Sequence, residues 1–228
     1  MTLNPPTSAE IGPQLIALFA AGMLVLQLLL VVQRMLLTSI RLFALQSLLL
    51  AVIAGIVAYF HHATHVYLVA ALTLGGKVFF LPWLLDRQVR RVRIVQEIEP
   101  LLNPPASMLL CGALTLLGYL VARRLTMVAP LPQLGSNTLA VAITLLLTGF
   151  FLMFNCRKAL TQVLALLTVE NGIMLAAVAL TTYGMPLVVE LGVFFDVMVG
   201  VMVLGILVYR IRENFDSMDV DKLSQLKG

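Results

Sequence analysis

The stretch Ala159-Leu-Thr-Gln-Val-Leu-Ala-Leu-Leu-Thr-Val-Glu170-Asn-Gly-Ile-Met-Leu-Ala-Ala-Val-Ala-Leu-Thr181 decides the fold class. Glu170 is its one ionisable side chain, and most of the rest is apolar or small. At the α-helical rise it spans about 34 Å, enough to cross a hydrocarbon core roughly 30 Å thick. It therefore reads as a transmembrane helix with a carboxylate near mid-membrane.

Similar runs fill the chain on either side. They cover about Ile11 to Val32, Leu42 to Phe60, Val66 to Leu85, Met108 to Ala122, Thr138 to Asn155 and Leu187 to Tyr209. The fourth of the seven, held between Pro105 and the pair Arg123-Arg124, is the shortest. The whole composition agrees: 61% of the 228 residues are hydrophobic and 11% are charged, against roughly a quarter charged in soluble domains. Only helices or closed barrels satisfy every backbone group in lipid. The expected fold is an all-α transmembrane bundle of about seven spans. The chain is expected to form one membrane domain, with a five-helix part over 1–155 and a second part with a polar tail over 156–228. The first run follows no basic segment and exceeds a signal-peptide core, so it is expected to be a retained span.

Charge placement predicts orientation. With the N-terminus outside, the inside segments hold Arg34, Arg41, Arg87, Arg90, Arg91, Arg93, Arg157, Lys158, Arg210, Arg212, Lys222 and Lys227. The outside segments hold Arg123 and Arg124. This twelve-to-two asymmetry predicts N-out, C-in, with Asp86 to Pro105 and the tail in the cytoplasm.

A charge near the bilayer centre costs at least about 2.5–3.5 kcal/mol, so it must be paired, neutralised or functional. Three such groups are expected: Lys77, Glu170 and Asp196. From cytoplasmic ends at Leu85, Ala159 and Tyr209 they lie about 12, 17 and 20 Å deep. Glu190 lies nearer the outer end of its span. One cation among carboxylates is the composition of a proton relay; a static ion pair setting helix register has the same composition. Both readings stand at this level. Beside Glu170, Thr168 and Asn171 offer hydrogen bonds and Gly172 admits a close neighbour. Gln46 with Ser47, and Gln162, read as interhelical hydrogen-bonding points.

Other chemistries find little support. Cys111 and Cys156 lie on or beside different spans, with no metal-ligand spacing. His61, His62 and His65 bunch in a predicted loop, and a surface reading outweighs a metal reading. No intramembrane histidine pair suits haem, and no Gly-rich loop suits a nucleotide. No cofactor is expected and no catalytic redox site belongs to this chain. The basic clusters sit at the ends of apolar runs, which points to lipid and not to nucleic acid.

The run Asn155-Cys-Arg-Lys-Ala-Leu-Thr-Gln-Val-Leu-Ala-Leu-Leu-Thr-Val-Glu170-Asn-Gly resembles the hydrogenase-4 component E family of membrane subunits. Gly76-Lys77-Val-Phe-Phe-Leu-Pro82, Gly192-Val-Phe-Phe-Asp196 and Asp219-Val-Asp-Lys-Leu-Ser-Gln-Leu-Lys-Gly228 extend the likeness. The last three spans also resemble the K subunit of respiratory complex I, with Glu170 in the first acidic place and Asp196, an aspartate for a glutamate, in the second. The resemblance implies a non-catalytic subunit in the membrane arm of a complex I-like, group 4 hydrogenase or formate hydrogenlyase-type assembly. The implied partners are antiporter-like and complex I H-subunit-like membrane subunits and a soluble hydrogenase or dehydrogenase arm. The implied location is a prokaryotic cytoplasmic (inner) membrane. Glu170, Asp196 and Lys77 would serve proton or sodium translocation, with Glu190, Asn171 and Gln46 as accessories. A free-standing transporter is the rival from another class, although no inverted repeat is evident; a purely structural scaffold is a second.

Overall fold

The computed structural model describes residues 8–61, 73–91, 100–128, 133–156 and 159–180, with isolated positions between them. The described chain is all-helical. Helix α1 covers Ser8–Val32 and α2 covers Leu36–His61. A π-helical stretch, Thr73–Phe80, leads directly into α3, Leu81–Arg91. Helices α4 (Pro104–Val128), α5 (Gln133–Asn155) and α6 (Ala159–Leu180) follow. Five of these helices contain segments of 20 to 25 residues that are long and apolar enough to cross a membrane, the length the hydrocarbon core demands. The chain is a multi-pass helical membrane protein. The expected seventh span and the tail lie outside the described residues.

The expected third span is not among these five segments, and it departs from a plain helix. Gly75 and Gly76 weaken α-helix propensity, and Pro82 withholds the N–H that would bond one turn back. The segment winds as a π-helix, whose turns are rare and frequently found at functional sites. Thr73, Lys77, Leu81 and Leu85, four residues apart, are its buried stripe, while Phe79, Phe80 and Trp83 face outward. The helix also runs on to Arg91, so Asp86 and Arg87 are helical and not part of a loop.

Further helix boundaries correct the sequence reading. Span two begins at Leu36, not near Leu42. The fourth span is not short: α4 has 25 residues. Pro104 and Pro105 open it, because proline is tolerated in a first helical turn where the N–H has no intrahelical partner. Arg123 and Arg124 lie within it, not in a loop; long basic side chains can carry their charge outward from an apolar stem. His61 is the last residue of α2 rather than a loop residue.

Neighbouring helices pair antiparallel. On α1 and α2, Gly12 lies under the Phe60 ring and Gly22 beside Leu49. On α5 and α6, Gly149 faces Thr168 and Val169, and Gly172 faces Ala142, Leu145 and Leu146. A Cβ at Gly172 would meet the Leu146 backbone nitrogen at 3.0 Å. These reciprocal glycines bring two backbones close, the small-residue packing that replaces hydrophobic attraction inside lipid. Helix α6 also packs on α2, α1 on α5, and the π segment on α2. Among the described spans α6 is therefore the most enclosed and α4 the least.

The described core has two main apolar layers, besides a small cluster of Ala122, Leu139 and Ala140. One joins Leu30, Leu36, Phe43, Leu81, Leu152 and Leu164. The other joins Met23, Leu50, Ile53, Leu145, Met174 and Leu175. Gln27, Gln46, Ser47, Lys77, Glu170 and Asn171 are also buried. In sequence each falls between the residues its helix gives to one layer and those it gives to the other, except on the π segment.

Candidate functional site

Four elements supply this polar layer. Lys77 enters from the π segment and Glu170 from α6; Nζ and Oε1 are 3.2 Å apart, and the side chains are 2% and 3% exposed. At that distance the two form an ion pair, and at this burial it is shielded from bulk water. Lys77 Nζ also donates to Asn171 Oδ1 at 3.5 Å. Asn171 Nδ2 in turn donates to Gln46 Oε1 at 3.2 Å and Ser47 Oγ at 3.0 Å on α2. Gln46 Nε2 donates to Gln27 Oε1 at 3.1 Å and to the Met23 carbonyl at 3.3 Å on α1.

Local sequence explains why these groups meet. Glu170 and Asn171 are consecutive, so they present two polar groups about 100° apart on one helix turn. One reaches the π segment directly, and the other bridges it to α2. Gly172 lets α5 come close on the neighbouring face. Three buried threonines bond locally: Thr144, Thr148 and Thr168 each donate to a carbonyl of their own helix at 2.7–2.8 Å, the local bond expected of a helical hydroxyl.

A second polar knot closes one end of the bundle. Asn155 Oδ1 accepts from Leu102 N at 2.9 Å, and its carbonyl accepts from Leu101 N at 2.8 Å. Its Nδ2 donates to Ser107 Oγ at 3.5 Å. The segment leading into α4 is thus tied to the end of α5. Gln162, expected to hydrogen-bond between spans, instead donates to the Cys156 carbonyl just before α6 at 3.2 Å. Gln162 is itself exposed near the start of α6, where this local carbonyl is in reach. Cys111 and Cys156 are free, buried thiols; burial pushes the Cys156 thiol up to about 11.

Of the expected site residues, Lys77, Glu170, Asn171 and Gln46 are brought together, with Gln46 in the interhelical role read from the sequence. Asp196 and Glu190 lie outside the described residues. Sequence reasoning passed over Gln27, an amide in an apolar run that has to find a partner once buried.

Comparison with known proteins places the chain. Over 211 residues it is 35% identical to the uncharacterized protein Rv0085 of Mycobacterium tuberculosis, covering 92% of this chain and 94% of that protein. The chain belongs to the Rv0085 family. This family member also has a more distant, family-level link to hydrogenase-4 component E of Escherichia coli K12, at 27% identity over 186 residues. That alignment covers 82% of this chain and 85% of the relative, and the protein of the same name from Shigella flexneri matches equally. No family model matches the chain. No solved structure matches it.

Proposed function

We propose that this chain is a non-catalytic membrane subunit of a hydrogenase-type complex, and that its buried Lys77–Glu170 pair takes part in ion translocation driven by redox chemistry in partner subunits. The single observation that carries the reading is the 3.2 Å contact between Lys77 Nζ and Glu170 Oε1, sealed from solvent between helices. Charges this deep in lipid are rare and mark ion pathways or their counter-ions. The name of the distant relatives, hydrogenase-4 component E, supports the choice of complex.

In this reading the chain brings no redox group. Its contribution is a carboxylate whose charge is balanced by a lysine, so that a carried proton or sodium ion can be exchanged with a small change in net charge. Asp196 on the next expected span is the following station, and Glu190 and Asn171 are accessories. The chain sits in a prokaryotic inner membrane with its N-terminus outside, beside antiporter-like and complex I H-subunit-like partners.

Replacing Glu170 by Gln tests this in native membranes. The amide keeps an acceptor for Lys77, so the complex is expected to assemble while coupled translocation is lost. Intact assembly with unchanged translocation overturns the reading and leaves a structural pair that sets helix register. Co-purification is the second measure: a complex subunit brings a soluble redox arm with it, and a free-standing transporter does not.

A further inference from the structure

The amides behind Lys77 form a row with one direction. An ammonium can only donate, so the Asn171 atom 3.5 Å from Lys77 Nζ is the oxygen. A backbone carbonyl can only accept, so the Gln46 atom 3.3 Å from the Met23 carbonyl is the nitrogen. These two ends leave one arrangement for what lies between. Asn171 turns Nδ2 to Gln46 Oε1, and Gln46 turns Nε2 to Gln27 Oε1. Every amide oxygen in the row faces the Lys77 side, and every amide nitrogen faces away. Bonds that share one direction polarise each other, so the row presents its negative end to the ammonium.

We propose that Asn171 is a second seat for the Lys77 ammonium, alternative to Glu170, and that Gln46 and Gln27 are positioning residues that keep its oxygen turned inward; this rests on the pair's part in ion translocation. Nζ lies 3.2 Å from the carboxylate and 3.5 Å from the amide oxygen, so the transfer needs only a small swing of the lysine's flexible end. When the carried cation, proton or sodium, neutralises Glu170, the ammonium shifts to Asn171. When the cation leaves, it returns. No covalent bond of Lys77 forms or breaks. Among the described residues, the charged side chains buried in this layer are Lys77 and Glu170; α1 and α2 contribute only amides and a hydroxyl, Gln27, Gln46 and Ser47.

The second seat makes neutralised Glu170 easier to form, and this sets the test. Coupled translocation is followed in native membranes holding the assembled complex while the carried cation is titrated, as pH or as sodium. Asn171→Leu, close to isosteric, is expected to move the half-maximal point to about tenfold higher cation concentration, one pH unit to the acid side for protons. Gln46→Met is expected to shift it in the same direction by a smaller factor, and to add nothing in the Asn171→Leu background. A merely structural role lowers the maximal rate or the amount assembled without moving the midpoint.

Glu170→Gln separates the two levels. If it leaves translocation intact, the function proposed for the pair fails. If it abolishes translocation while Asn171→Leu and Gln46→Met both keep the parental midpoint, the second seat is overturned and the pair's role stands. Should Asn171→Leu fail to assemble, Gln46→Met decides, because it lies one hydrogen bond beyond Asn171 and does not touch the pair; an unmoved midpoint there overturns the proposal.

Discussion

Lys77 on the π segment and Glu170 on α6 are direct partners, their charged atoms 3.2 Å apart and almost fully enclosed. The contact joins the π segment to the most enclosed of the described spans. A π-helix is a rare winding, mostly confined to single turns inside α-helices, so an eight-residue stretch depends on what it packs against. Here it packs on α2 and α3, and the ion pair adds a fixed point on α6.

Removing one partner of that pair is expected to cost more than removing both. Glu170→Leu leaves a buried ammonium without its carboxylate and is expected to destabilise the chain by about 3–5 kcal/mol. Lys77→Met with Glu170→Leu replaces the pair by apolar groups and is expected to regain most of that loss. Thermal unfolding of the detergent-solubilised variants measures the difference, and translocation should be absent in both.

The close approach of α5 and α6 is expected to reject even one methyl group. Gly172→Ala sets a Cβ 3.0 Å from the Leu146 nitrogen and 3.2 Å from the Ala142 carbonyl oxygen. Backbone atoms cannot swing aside, so a loss of about 1–3 kcal/mol is expected. Gly112→Ala on α4 is the control. A Cβ there meets nothing within 4 Å, and the change should be neutral or stabilising by up to about 1 kcal/mol. Melting temperatures of the two variants give the comparison.

Asn155→Ala removes the acceptor of Leu102 N and the donor to Ser107. A part-buried N–H left without its partner is expected to cost about 1–3 kcal/mol. The bond from Leu101 N to the Asn155 carbonyl survives, since the backbone is unchanged. The effect should concentrate at residues 100–103, measured as faster hydrogen exchange or protease cleavage there.

The Cys156 thiol is expected to be inert at neutral pH. Burial raises it from an ordinary 9.0 to about 11, and the thiolate is the reactive form. Maleimide should label it in denatured protein and not in native membranes at pH 7. Because the folded value is the higher one, the thiol's contribution to stability is intact below about 9 and is lost as pH rises towards about 11.

Fold class was legible in the chain because the lipid requirement acts on local sequence. A span needs roughly 20 apolar residues in a row, so Gly12–Val32 and Leu160–Leu180 appear almost where their runs begin and end. The same cost argument singled out Lys77 and Glu170, since a charge in an apolar run is conspicuous wherever its helix ends up. Helix ends were less legible. Hydropathy stopped the fourth span at its arginines and prolines, whereas helical hydrogen bonding tolerates both at the termini of α4.

What the sequence by itself determined is a multi-pass helical chain with a few charges set inside apolar runs, because the cost of burial in lipid falls residue by residue along one helix. Pairing was decided by tertiary structure alone. That Lys77 meets Glu170, that Asn171 turns its oxygen to that lysine, and that Gln27 on α1 ends the row all depend on which helix faces which. Those facings follow from glycine contacts such as Gly149 on Val169 and Gly172 on Leu146, and from the π turn that directs Lys77 inward. Such contacts join residues far apart in the chain, and no local pattern encodes them.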